Sequence, residues 1–268
     1  MKLKDKRKQL VSNLQGLQSV ILAFSGGVDS TLLLAIAYEV LGNAVIAVTA
    51  DSPIHSKRER AAAAKIAKSI GATHIVIQSR EMALPKFVRN GRDRCYVCKK
   101  SLFSDLLSLA AQKGIPHVVH GANLDDLKDF RPGMQAADEL GILSPLLQAS
   151  LTKAEIRLLS KEMNLPTWAK PADACLASRI PYGVALSGAN LEMVANAEDV
   201  LKAMGFHLCR VRHHGDVARI EVSMDDMPRL MRGATPGIVV EKFRRIGFLH
   251  VALDMAGYVS GNMNRELT

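Results

Sequence analysis

The chain is poor in aromatic side chains: Phe, Trp and Tyr together make up 4% of its 268 residues, and there is one Trp. Proteins that read single-stranded nucleic acid stack bases on aromatic platforms, so that class loses support. Cysteine is scarce as well, at four residues, too few for a scaffold built on disulfides. Long apolar runs are missing. The start, MKLKDKRKQL, is basic, but the apolar stretch that follows, VILAF, is too short for a signal-peptide core or a membrane span. A cytoplasmic location is therefore expected, where thiols outlast disulfides. There is no low-complexity tract, and no G-x-x-x-x-G-K-[ST], which excludes a Walker-type phosphate loop.

What is present is an ordinary globular composition, 48% hydrophobic and 23% charged. The length allows a sizeable core in one large domain or two smaller ones. The net charge of +9 predicts anionic partners: nucleic acid, nucleotides or small phosphorylated acids. Charge alone does not choose among them.

Apolar spacing predicts a short amphipathic helix over 3–17 (Leu3, Leu10, Leu14, Leu17). Four short apolar strands follow, SVILAF, AVIAVTA, HIVIQ and HVVHG, each separated from the next by a helical pattern. Gly42 and Gly71 are placed to stop the first two of those helices, and the third is read from Ser101 in SLFSDLLSLAAQKG. Strand and helix alternating in this way predict an α/β fold, a parallel sheet covered on both faces, with ligands at the carboxyl ends of its strands. LTKAEIRLLSKEMN is a further helix, opened by a capping box of Thr152 and Glu155. The pattern then changes. After the irregular WAKPADACLASRIPYG, a helix–strand–turn–strand unit and a shorter helix–strand echo predict a small α+β domain. The expected domains are 1–185 and 186–268.

The strongest motif is AFSGGVDST, residues 23–31. A buried strand ends in Ser25-Gly26-Gly27 and turns directly into a helix whose first turn holds Asp29 and Ser30. Glycines let backbone wrap closely around an anion, and a helix N-terminus supplies unpaired N–H donors and a favourable dipole. Ser25 and Ser30 add hydroxyl donors, and Asp29 suits a magnesium ion on bound phosphates.

A second motif is DRCYVCKK, with Cys95 and Cys98 at C-x-x-C spacing. Such a pair is a redox dithiol, half of a zinc site or part of an iron–sulfur ligand set. A dithiol is disfavoured because the pair does not open the helix of a thioredoxin-like unit. Zinc, with a histidine as fourth ligand, stays open. Cys209 falls in an apparent strand and reads as a small buried residue. Arg210 and Arg212 alternate with Val211, which puts both guanidinium groups on one strand face; arginine forks suit phosphate or carboxylate, and solvated surface arginines are the bland alternative. Glu198 and Glu221 are candidates to bind a metal or orient a partner. His213 and His214 sit at a turn and read as exposed, and a solvated acidic turn is the bland alternative for Asp125, Asp126 and Asp129.

The S-G-G-x-D-S stretch resembles the pyrophosphate loop of the ATP pyrophosphatases, which cleave ATP between its α and β phosphates and adenylate an oxygen of their substrate. That resemblance implies a Rossmann-like domain binding ATP with Mg2+. It implies that Asp51, in VTADS, cups the adenine, and that Gly121, Asp126 and Arg131, in HGANLDDLKDFRPG, reach the same nucleotide. D-F-R-P-G, S-R-I-P-Y-G, CRVRHHGDVARIE and LDMAGYVSGNMN resemble the LarE family over nearly the whole chain. Members of that family put sulfur into pyridinium-3,5-biscarboxylic acid mononucleotide for a nickel-pincer cofactor. The resemblance implies that Arg179, Arg210 and Arg212 face the substrate and that the chain forms homo-oligomers.

The family's sacrificial type carries one cysteine before S-R-[FI]-P-Y-G and gives up its sulfur; here Ala174 stands at that place and Cys175 follows. That type also has tryptophan where this chain has Cys95. Cys95, Cys98 and Cys175 are therefore similar to the ligand set of the family's cluster-bearing branch. This resemblance implies a [4Fe–4S] cluster with one iron open to exogenous sulfide, and an external sulfur donor. An alternative from the same superfamily is a [4Fe–4S]-dependent tRNA thiolase. Against it stand the lack of further C-x-x-C pairs and the few aromatics for splayed bases.

Overall fold

The computed structural model describes residues 1–128, 132–171 and 174–259. Contacts within the chain divide it into two units: 1–87 with 93–173, and 88–92 with 174–268. The sequence reading puts the boundary at 185/186; the contacts put it at 173/174.

The first unit contains α1 (Leu3–Gln15), β1 (Val20–Ala23), α2 (Val28–Leu41), β2 (Val45–Asp51), α3 (Lys57–Ile70) and β3 (Thr73–Gln78). The one-turn α4 (Pro85–Val88) leads to α5 (Arg94–Gln112) and β4 (His117–Val119), then α6 (Pro132–Glu139), one-turn α7 (Pro145–Gln148) and α8 (Lys153–Glu162). The four strands form one parallel sheet in the order β3-β2-β1-β4. Alternate residues along β1 feed opposite faces. Val20 and Leu22 join a core built with α1, α2 and α8, whereas Ile21 joins Phe103, Leu106 and Ala137 from α5 and α6. This is the expected α/β sheet with both faces covered. The run from Ser30 to Ala37 is buried on every side of α2, which explains its apolar sequence without a polar face.

Two boundaries have local causes. Ser56 and Glu59 form a capping box at α3, and Gly71 ends the helix at φ 90, a left-handed position suited to glycine. Thr152 and Glu155 form the expected capping box at α8. One boundary differs from the sequence reading: α5 begins at Arg94, not at Ser101. No glycine or proline interrupts 94–112, so the helical hydrogen bonds run back through the cysteine motif.

The second unit contains α9 (Gly188–Ala203), β5 (Cys209–His214), β6 (Val217–Val222), one-turn α10 (Met227–Leu230), α11 (Thr235–Ile246) and β7 (His250–Leu253). β5 and β6 are antiparallel, joined through Gly215 at φ 63, and β7 runs parallel to β6. Ala197, Leu201, Val211, Ile220, Val239 and Phe243 form its core. Residues 88–92 are fastened to this unit by Asn90. Its Nδ2 donates to the carbonyls of Pro181 and Val184 at 2.8 and 2.9 Å, and its own carbonyl accepts from Gly183.

Candidate functional site

In the first unit, the sheet ends at the S-G-G-V-D-S turn. Phe24 N still pairs with the Val48 carbonyl, and Thr49 Oγ1 donates to the Phe24 carbonyl at 2.7 Å. The same hydroxyl meets His74 Nε2 at 2.8 Å. Because its one proton is spent on Phe24, the imidazole donates from Nε2. Thr49 and His74 thus pin the residue just before the loop, a role with no local sequence signal.

Beyond Phe24 the chain turns at Gly26, φ 67, where a side chain would meet the Ala63 backbone at 3.0 Å. Glycine is required on both counts. Gly27 N donates to Ser25 Oγ at 3.3 Å, and the Ser25 and Ser30 hydroxyls lie 3.2 Å apart. The two serines and two glycines therefore form one small polar cradle at the start of α2, as the motif predicts. Gly121, after β4, packs against this turn so closely that a Cβ would lie 3.0 Å from Ser30 N. The structure brings Gly121 to the loop.

Asp29 is engaged through both carboxylate oxygens. Asn123 Nδ2 donates to Oδ1 at 3.3 Å, and the Lys153 ammonium pairs with Oδ2. Asp126 is buried and accepts from Asn123 N at 3.0 Å, while Asp125 accepts from Lys153 N at 2.8 Å. These two acids shape the 123–126 turn rather than forming a solvated face. Asp129 and Arg131 lie outside the described residues. Asp51, at the end of β2, is ion-paired with Arg60 and accepts from Gln78 at 3.2 Å. The half-exposed Asp29 carboxylate is a hard oxygen donor beside the loop, which fits a magnesium ion shared with phosphates.

Sequence reasoning missed two cations. Lys153 opens α8, and Lys170 Nζ donates to the Gly26 carbonyl at 3.1 Å. His120, next to Gly121, holds Ser144 Oγ at 2.7 Å, and burial together with the Lys99 ammonium pushes it down to about 4.

The cysteine pair lies at the start of α5, which begins at Arg94, rather than ahead of its helix. Cys95 is exposed and Cys98 half-buried, and spacing of i, i+3 places both on one helix face. The segment leading into α5 is the one-turn α4 rather than a strand. Cys175, in the second unit, directly precedes a 3-10 turn over Leu176–Arg179. No disulfide joins any of the four cysteines. Among the described residues, no group of three or more His, Cys, Asp or Glu side chains is assembled for a metal ion. As donors, three thiols suit iron–sulfur ligation.

The second unit concentrates buried charge. Arg179 Nε donates to Glu198 Oε1 at 2.8 Å, and its Nη1 to the carbonyls of Ala174 and Cys175 at 2.6 and 3.2 Å. Burial alone would raise the Glu198 carboxyl, but Arg179, Lys202 and Arg210 together hold it below the usual range. Arg212 forks onto Glu221 through two 2.9 Å bonds and reaches the Ser178 carbonyl at 2.8 Å. Arg210 donates to the Cys209 carbonyl and lies over the Tyr258 ring. Both arginines are buried, so the solvated-surface alternative falls. Glu198 and Glu221, the candidate metal ligands, are each paired to an arginine. Cys209 is fully buried, as expected, and burial, with a contribution from Glu198, pushes its thiol up to about 12. His213 is half-buried against Phe248, not exposed at a turn.

The family model for asparagine synthase matches residues 7–114, which span β1 and the loop. Over 267 residues, 99% of this chain and 96% of the relative, the chain is 37% identical to pyridinium-3,5-bisthiocarboxylic acid mononucleotide synthase of Lactiplantibacillus plantarum. It is 42% identical over 252 residues to an uncharacterized protein of Synechocystis, covering 94% of each chain. It is 29% identical over 260 residues to an uncharacterized protein of Methanocaldococcus jannaschii, covering 97% of each. A parallel sheet whose first strand ends in the S-G-G-V-D-S cradle defines the first unit as a domain of the ATP pyrophosphatase class. Within that class, the chain belongs to the family of the pyridinium-3,5-bisthiocarboxylic acid mononucleotide synthase, the LarE family.

Proposed function

We propose that this protein is an ATP-dependent sulfurtransferase acting on pyridinium-3,5-biscarboxylic acid mononucleotide. The observation that carries the reading is the Ser25–Ser30 cradle with Asp29 beside it, in a chain that matches the named synthase over nearly its full length. A ring carboxylate oxygen attacks the α-phosphorus of ATP, and the bond to the β-phosphate oxygen breaks, releasing pyrophosphate. A sulfur nucleophile then attacks the acyl carbon, and AMP leaves with the electron pair of the C–O bond, giving a thiocarboxylate.

The chain's own residues divide this work. Gly26 and Gly27 let backbone approach the departing pyrophosphate, the Ser25 and Ser30 hydroxyls donate to it, and Asp29 suits the magnesium that offsets its charge. Asp51, Gly121, Asp126 and Arg131 are assigned to the nucleotide. Arg210, with Arg179 and Arg212 holding the surrounding frame, is assigned to the substrate phosphate. Cys95, Cys98 and Cys175 are assigned to a [4Fe–4S] cluster, which would supply the sulfur nucleophile; an external donor renews it. We assign the protein to the cytoplasm and to a homo-oligomer on family grounds. The tRNA-thiolase reading is the less supported one, since the full-length likeness is to a mononucleotide synthase.

The test is product analysis with the mononucleotide, ATP, magnesium and sulfide under anaerobic conditions. AMP and pyrophosphate in equal amounts are expected, and Asp29→Ala should abolish both without unfolding the protein. ADP and orthophosphate would refute the assignment.

A further inference from the structure

Two lysines missed by motif reading reach the loop at different points. Lys153 pairs with Asp29, and Lys170 donates to the Gly26 carbonyl at 3.1 Å. An ammonium group has three donors, and neither lysine uses more than one of them on the loop. Both are half-buried, so their charge is less screened than on an open surface. Their placement is not accidental fraying of two long side chains. Lys153 is the first residue of α8, fixed by the Thr152–Glu155 capping box and by its own N–H on Asp125 at 2.8 Å.

Lys170 lies in an irregular segment, and α8 fastens that segment too. Arg157, one turn beyond Lys153, donates to the Trp168 carbonyl from Nη1 and to the Lys170 carbonyl from Nη2, both at 2.7 Å. A planar guanidinium holding two carbonyls two residues apart fixes the backbone between them. One helix therefore presents one lysine directly and the other through a clamp.

We propose that Lys153 and Lys170 bind the β and γ phosphates of ATP at the loop, and that Arg157 is the positioning residue for Lys170. The proposal rests on the nucleotide reading above and names residues that the motif does not contain. Each lysine exchanges part of its contact with a loop oxygen for a phosphate oxygen, so charge accumulating on departing pyrophosphate meets two cations already in place.

The experiment is competition of unlabelled ligands against a fluorescent ATP analogue on the full chain. The ligands are MgATP, inorganic pyrophosphate and adenosine. Lys153→Met and Lys170→Met should each weaken ATP and pyrophosphate by about tenfold or more, as expected for a charged hydrogen bond, and leave adenosine within twofold. Lys153→Arg, which keeps the charge, should recover most of the loss. Arg157→Ala should reproduce the Lys170→Met defect and add nothing to it in the double variant, yet add fully to Lys153→Met. Unchanged pyrophosphate affinity in the lysine variants, or equal loss of adenosine, would overturn the proposal while leaving ATP use intact. Failure of the unaltered protein to bind ATP would instead remove the nucleotide reading itself, and the proposal with it.

Discussion

Arg179 and Glu198 form an ion pair shut away from water: Nε to Oε1 is 2.8 Å, and each side chain is 2% exposed. The same guanidinium holds the carbonyls of Ala174 and Cys175, so the pair fixes the backbone that carries Cys175 onto α9. Removing one member leaves a buried charge uncompensated, which typically costs ~3–5 kcal/mol. Glu198→Ala should lower unfolding free energy by that order in urea titrations, whereas replacing both residues with leucine should recover part of it. A Glu198→Ala protein as stable as the parent would assign this carboxylate to ligand binding instead of the frame.

Arg210 and Arg212, two residues apart on one strand, should behave differently. Arg212 spends a bidentate fork on Glu221, which is fully buried. Its loss therefore registers chiefly as stability, again ~3–5 kcal/mol by the same reasoning. Arg210→Ala leaves that fork intact. It should raise the KM for the mononucleotide by about tenfold, the effect of one charged contact, with little change in ATP affinity. Steady-state kinetics with each substrate varied separately checks this. Equal KM values for the mononucleotide would remove Arg210 from the substrate site.

His120 predicts a pH dependence. Its folded pKa is lowered to about 4 from an ordinary 6.5, so the unfolded chain takes up this proton first as pH falls. The contribution to stability is whole above pH 6.5 and is lost as pH drops from there through about 4. A shift of this size corresponds to ~3 kcal/mol at full loss. His120→Gln keeps a partner for Ser144 and cannot titrate. The difference in unfolding free energy between the two proteins should therefore change between pH 7.5 and 4.5, in favour of the variant at low pH. A pH-independent difference would show that the imidazole does not titrate as its surroundings require.

Much of the fold was legible because it is written in local periodicity. Each strand of the parallel sheet is a short apolar run, and Gly71 and Thr152 mark helix ends by their own conformational needs. The loop was legible for the same reason, since Ser25, Gly26, Gly27 and Ser30 are neighbours in sequence. What escaped is non-local. Asp29 meets Lys153 and Asn123 across the sheet edge, and nothing in LTKAEIR distinguishes that lysine from a solvated one. The clip of Asn90 onto Pro181 and Val184 likewise joins distant segments, which is why a boundary drawn from pattern alone fell later than the contact division. Arg212 and Glu221 were within reach: the β5–β6 hairpin pairs Arg210 with Glu221, which leaves Arg212 on the neighbouring diagonal.

The cysteines supply the last prediction. Cys95, Cys98 and Cys175 differ from Cys209 in exposure: Cys95 is exposed, Cys98 and Cys175 are half-buried, and Cys209 is buried with its thiol pushed up to about 12. A thiol held that high carries almost no thiolate at neutral pH, so it is a poor ligand and a poor nucleophile. Iron should therefore depend on the first three and not on the fourth. Anaerobically reconstituted protein should bind iron and sulfide, and replacing Cys95, Cys98 or Cys175 with alanine should remove iron and activity together. Cys209→Ala should spare both. Since Ala174 stands where a self-consumed cysteine would, added sulfide should support several turnovers per chain, with Cys175 unchanged in mass. Zinc in place of iron, with full activity retained, would turn the pair into a structural site. A single turnover with loss of about one sulfur atom from Cys175 would make that residue a covalent participant that is used up, and the cluster assignment would fall.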